Sequence, residues 1–107
     1  RLKDVIIRKG ENISAREVED LLYEHPKVAD VAVVGLPDPA SGERACAVVQ
    51  ARDPAAPLGF EEMAPYLRGR GLMLQKIPEQ LEHVVELPRN ASGKVQKVEL
   101  RKRYAAR

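Results

Sequence analysis

The stretch Pro88-Arg89-Asn90-Ala91-Ser92-Gly93-Lys94 carries the most chemistry in this chain. Gly93 gives the backbone conformations closed to other residues and lets a ligand come close. Lys94 projects an ammonium near the start of an expected helix, where free N–H groups already favour an anion. Together they describe a clamp for phosphate or carboxylate oxygens. An isolated Ser-Gly-Lys is more commonly a solvated loop, so its context has to decide. A nucleotide P-loop is excluded, because G-x-x-x-x-G-K-[ST] needs an earlier glycine and a Ser or Thr where Val95 stands. Lys97 and Arg101 follow Lys94 at i+3 and i+7, a basic stripe on one helix face. That stripe reads first as a solvated surface and otherwise as a contact for a ligand's phosphates.

Other chemistries find little support. His25 and His83 lie far apart without cysteine neighbours, so no metal site is expected. The single cysteine, Cys46, cannot form an internal disulfide and sits in an apolar run, which suits a reducing, cytoplasmic setting. Apolar runs such as Val31-Ala32-Val33-Val34 are too short to span a membrane, and Arg1-Leu2-Lys3-Asp4 does not read as a secretory leader. Seven basic residues and one acid between Arg89 and Arg107 raise the alternative of a module binding RNA or an acidic protein. Against it, the net charge is only +2, and aromatic residues at 4% leave no stacking platform for single-stranded nucleic acid. No nucleic-acid partner is expected.

The elements that must position Lys94 follow from patterning. With 107 residues the chain makes one domain, residues 1–107. Asp4 to Lys9 is rich in β-branched residues, Gly10-Glu11-Asn12 reads as a turn, and Ile13 begins a short return, predicting a small hairpin. Ser14-Ala15-Arg16-Glu17 has capping-box spacing and opens a helix with Ala15, Val18, Leu21 and Leu22 on one side, stopped by Pro26. Val28 to Leu36 and Ala45 to Ala51 read as partner strands about the turn residues 37–42. Phe60, Met63, Ala64 and Leu67 mark the apolar face of a second helix, ended by Gly69 and Gly71. A third strand follows Pro78, about Glu82 to Leu87, and a basic helix begins near Val95. The expected fold is α+β: a small antiparallel three-stranded sheet with packed helices, preceded by a short β-hairpin.

The same residues resemble a known family. Arg1, Lys3, Asp4, Gly10, Glu17 and Glu19 fall on the hinge-side motif of the adenylate-forming superfamily, Arg-x-(Asp/Lys)-Asp followed by a glycine and Glu-x-Glu. Pro88, Arg89, Gly93 and Lys94 match its later P-R-x-x-x-G-K motif. Between them, His25-Pro26, Val28 to Gly35, Pro37-Asp38, Gly42-Glu43 and Lys76-Ile77-Pro78 follow the acyl-CoA synthetase pattern. The chain therefore resembles the C-terminal domain of an AMP-forming acyl-CoA synthetase along essentially its whole length.

That resemblance implies a two-step reaction, in which a carboxylate and ATP give an acyl-adenylate and coenzyme A then displaces AMP. It implies a large N-terminal domain as partner, which holds ATP, Mg2+ and the carboxylic acid and which this chain lacks. The small domain turns between two poses about Lys3. Lys94 becomes the adenylation lysine beside Gly93, Arg1 a contact to the nucleotide, and Gly10 part of the thiol channel. Glu17 is explained by helix capping alone. Adenylation domains that load a carrier protein share both motifs, so acceptor choice stays open. A lysine acetyltransferase and deacetylase acting on Lys94 are further expected partners.

Overall fold

The structure, a computed structural model, describes residues 5–105. Strands β1 (Val5–Arg8) and β2 (Glu11–Ser14) form an antiparallel hairpin. Its turn is two residues long, Lys9 and Gly10, with φ of 52° and 79°. Positive φ at both central positions matches the twist of the flanking strands, and Gly10 adopts it without a Cβ penalty. Glu11 and Asn12, expected in the turn, already pair with Arg8 and Ile7.

Helix α1 (Ala15–Tyr23) begins where the Ser14 hydroxyl accepts the Glu17 N–H at 3.3 Å. Only half of the expected capping box forms. The Glu17 carboxylate instead pairs with Lys76 Nζ at 3.0 Å. Ala15, Val18 and Leu22 are fully buried, so one stripe of the helix faces the sheet.

Strands β3 (Val28–Asp38) and β4 (Gly42–Ala51) run antiparallel, as expected. Asp38 closes their turn by accepting the N–H groups of Ala40 and Ser41 at 2.8 and 3.1 Å. The chain then crosses over through α2 (Phe60–Gly69) and a 3-10 turn at Leu74–Lys76. It returns as β5 (Gln80–Val84), which pairs with β4 in parallel, from Cys46↔Gln80 to Gln50↔Val84. The third strand thus differs from the expected antiparallel one and ends before Leu87. A helical crossover brings the chain back to the end where β4 began, and parallel pairing follows. The α+β class holds, with a mixed five-stranded sheet in which β1 joins β4 at Arg8↔Gly42. Gly35 assists that junction: a Cβ there would lie 2.9–3.1 Å from the Glu43 carboxylate, whose Oε1 accepts the Ile7 N–H at 2.8 Å.

Both faces of β3 and β4 are covered. Val31, Val33, Ala47 and Val49 pack with Ile6, Ile13, Leu58, Met63 and Leu67 under α1 and α2. Ala32, Val34, Leu36, Cys46 and Val48 face the other way, against Leu87 and the Leu100 and Tyr104 side chains of α3 (Lys97–Tyr104). Two-sided burial explains why these strands read as continuous apolar runs rather than alternating ones. Each such valine or leucine contributes about 1.5–3 kcal/mol when buried. Phe60, expected on the inner face of α2, is 46% exposed, whereas Leu58 just before the helix is fully buried and fills that place.

Candidate functional site: the Lys94 hairpin and its braces

Residues 88–96 form a tight hairpin closed at its base. Arg89 and Val95 make an antiparallel bridge, and the Gln96 N–H donates to the Pro88 carbonyl at 2.8 Å. Asn90 organises the interior. Its Oδ1 accepts the Ser92 N–H at 3.0 Å, the Ser92 hydroxyl at 2.8 Å and the Lys94 N–H at 2.9 Å. Its own N–H donates to the Lys94 carbonyl at 2.9 Å. Both backbone polar groups of Lys94 are therefore held by one residue. Gly93, with φ of 87°, makes the reversal that places Lys94 opposite Asn90, and its N–H donates to the Asn90 carbonyl at 2.9 Å.

This arrangement differs from an anion-binding loop in one respect. The N–H groups of Ser92, Gly93 and Lys94 are all spent on Asn90, and α3 starts only at Lys97. The stretch offers an anion the Lys94 ammonium rather than a cradle of free amides. That ammonium is solvent-exposed and makes no hydrogen bond or ion pair among the described residues.

Side chains from α1 and β3 brace the hairpin. Arg89 donates from Nη1 to the Gly93 carbonyl and from Nη2 to Asp30 Oδ2. Asp30 Oδ1 also accepts the Tyr23 hydroxyl, and the Val31 N–H at 2.9 Å. Burial alone would push the Asp30 carboxyl up, but Arg89, Tyr23 and the Val31 N–H outweigh it and hold it below the usual carboxylate range. The same contact with Asp30 pushes Arg89 up. Burial, then the bond to anionic Asp30, pushes the Tyr23 phenol up. On the other flank, Lys97 Nζ lies 2.7 Å from Glu19 Oε2, which also accepts the Val33 N–H at 2.8 Å. Burial raises the Glu19 carboxyl, and the Val33 N–H opposes it.

Lys97 was expected on a solvated stripe, yet its side chain is only 18% exposed and bridges to α1. No sequence motif marks Asp30 or Tyr23 as part of the site. A lone acid inside the apolar run Val28 to Leu36 was the available signal for Asp30.

Between the β1–β2 hairpin, α1 and the Lys94 hairpin lies an open groove of about 950 Å3. Asn12, Arg16, Glu19, Lys94 and Arg101 line it. Gly10, at the tip of the first hairpin, is exposed and does not line it. Arg1 and Lys3 lie outside the described residues. Among the described residues no group of three His, Cys, Asp or Glu side chains could hold a metal ion, and no helix is long and apolar enough to cross a membrane.

Fold and site together define a small α+β domain that presents, on a braced hairpin, a lysine unpaired among the described residues. Comparison with known proteins gives its family. Residues 17–94 match the AMP-binding enzyme C-terminal domain, and the match reaches Lys94. The chain is 46% identical over 102 residues to the medium-chain fatty-acid–CoA ligase of Escherichia coli (strain K12), covering 95% of this chain and 18% of that protein. It is 45% identical over 101 residues to the 2,3-dihydroxybenzoate-AMP ligase of Bacillus subtilis (strain 168), covering 94% of this chain and 18% of that protein. A solved Mycobacterium tuberculosis fatty acyl CoA synthetase superposes with a TM-score of 0.87 at 39% identity, over 99% of this chain and 20% of that one. The chain belongs to the AMP-binding enzyme C-terminal domain family and spans about a fifth of the length of these relatives.

Proposed function

We propose that this chain is the mobile C-terminal domain of an AMP-forming carboxylate–CoA ligase, and that Lys94 stabilises its adenylation transition state. The observation that carries the reading is an exposed ammonium, without a partner among the described residues, on a backbone tied at both polar groups to Asn90. Such a group enters another domain's site without first breaking a bond.

In the first step a carboxylate oxygen attacks the α-phosphorus of ATP and pyrophosphate leaves. Negative charge builds on the oxygens around that phosphorus, and a placed ammonium offsets it. In the second step the thiol of coenzyme A attacks the acyl carbon and AMP leaves. Coenzyme A is the acceptor by analogy with the fatty-acid–CoA ligase relative. Arg1 is assigned to the nucleotide, Lys3 to the hinge and Gly10 to the thiol channel, and Gly93 acts by shaping the turn under Lys94. ATP, the carboxylic acid and Mg2+ belong to a large N-terminal domain. The described residues offer no ligand set for Mg2+. The setting proposed is cytoplasmic. Because Lys94 is exposed, a lysine acetyltransferase could reach it, and acetylation would remove the charge while leaving the hairpin intact.

The test uses the full-length protein that carries this domain. ATP–pyrophosphate exchange is followed with medium-chain, aryl and alicyclic carboxylates. Exchange that depends on one of these acids supports the reading, and none with any of them overturns it. Lys3→Pro should spare that exchange and slow thioester formation, since proline fixes φ where rotation is absorbed.

A further inference from the structure

The segment that carries Lys94 is tied to the rest of the domain by two charge bridges, one to the outer strand β3 and one to helix α1. The Arg89 guanidinium joins two groups at once: the Gly93 carbonyl that directly precedes Lys94, and the Asp30 carboxylate on β3. Asp30 is the sheltered member, with a side chain 15% exposed against 39% for Arg89, and Tyr23 and the Val31 N–H fix its other oxygen. The second bridge, Lys97 to Glu19, pins the far end of the same segment where α3 begins. Exposed ion pairs add little to stability. What the Asp30–Arg89 pair supplies is direction, because its guanidinium fork grips the peptide from which Lys94 projects.

We propose that Asp30 is a positioning residue for Lys94, acting through Arg89 to fix the turn so that the ammonium always leaves the domain along one line. The inference rests on the adenylation role proposed for Lys94. A reacting group misplaced by about 1 Å can lose up to roughly 10²-fold in rate, so a brace that prevents swinging has catalytic value without touching substrate.

The test is made in the full-length protein with Asp30→Asn and Arg89→Lys, alone and combined with Lys94→Ala. Asparagine keeps an oxygen for Tyr23 and Val31 but loses the charge that holds Arg89. Lysine keeps the charge but lacks the fork that reaches both Asp30 and Gly93. Each single change should lower kcat for ATP–pyrophosphate exchange by roughly 10- to 100-fold. Conversion of preformed acyl-adenylate to thioester should stay unchanged. In the Lys94→Ala background neither change should lower exchange further, because the group they position is gone. Equal losses in both half-reactions, undiminished losses in the Lys94→Ala background, or no loss at all would overturn the positioning role. Should Asp30→Asn fail to fold, Arg89→Lys at its exposed position decides alone. If Lys94→Ala itself keeps full exchange, the proposed function falls and this inference with it. If Lys94→Ala loses exchange while Asp30→Asn and Arg89→Lys do not, only the inference falls.

Discussion

Replacing Asn90 by alanine isolates the hub of the Lys94 hairpin. The change deletes three hydrogen bonds to Oδ1, from the Ser92 N–H, the Ser92 hydroxyl and the Lys94 N–H. A typical intramolecular hydrogen bond contributes a net of about 0.5–1.5 kcal/mol. The loop is exposed, so water takes over the freed donors and the lower figure applies to each bond. The hairpin then opens more easily by about 1.5 kcal/mol, which is roughly 10-fold, at about 1.4 kcal/mol per decade. The reporter is the backbone N–H of residue 90, which donates to the Lys94 carbonyl and is untouched by the substitution. Its hydrogen exchange, read by NMR, should accelerate by that factor, while the amides of β3 and β4 keep their protection. Asn90→Asp, which retains the acceptor oxygen, should recover most of the protection. Faster exchange at Lys94 alone, with residue 90 as protected as before, would refute the reasoning, because the hairpin would then be held without its side-chain hub.

Gly10→Ala should destabilise the first hairpin by about 1 kcal/mol, since φ of 79° and not crowding is the obstacle there, and Gly10→Asn should cost less. Urea unfolding of the three proteins checks the order. His25 sets a pH dependence: burial pushes its imidazole pKa down, and its Nδ1 accepts the Lys27 N–H at 3.0 Å. The folded state therefore prefers neutral His25, so its contribution is full above the unfolded imidazole value of about 6.5 and is lost as pH falls below it. The urea midpoint should drop between pH 7.5 and 5 and drop less in His25→Gln.

Pro88 to Lys94 stood out in the sequence as a polar loop on which the family pattern also falls, but its closure into a hairpin around Asn90 was not visible there. Nor were the braces. Asp30 and Arg89 are 59 residues apart and meet only because β3 is an outer strand beside the hairpin. Lys97 read as surface because helical spacing reports which face a residue occupies, not that Glu19 waits on another helix. The parallel entry of β5 was hidden for a related reason: strand patterning is the same in either direction, and only the crossover through α2 sets the sense. Phe60 misled by its period, since the first turn of a helix can overhang the core it faces.

The claim that carries the rest is the role of Lys94 in one half-reaction only. Lys94→Ala in the full-length protein, assayed by ATP–pyrophosphate exchange and separately by conversion of preformed acyl-adenylate with coenzyme A, tests it directly. Exchange should fall by on the order of 10²–10³, the usual loss for one electrostatic stabiliser, with thioester formation near the unsubstituted rate. Equal loss in both half-reactions, or undiminished exchange, would contradict it.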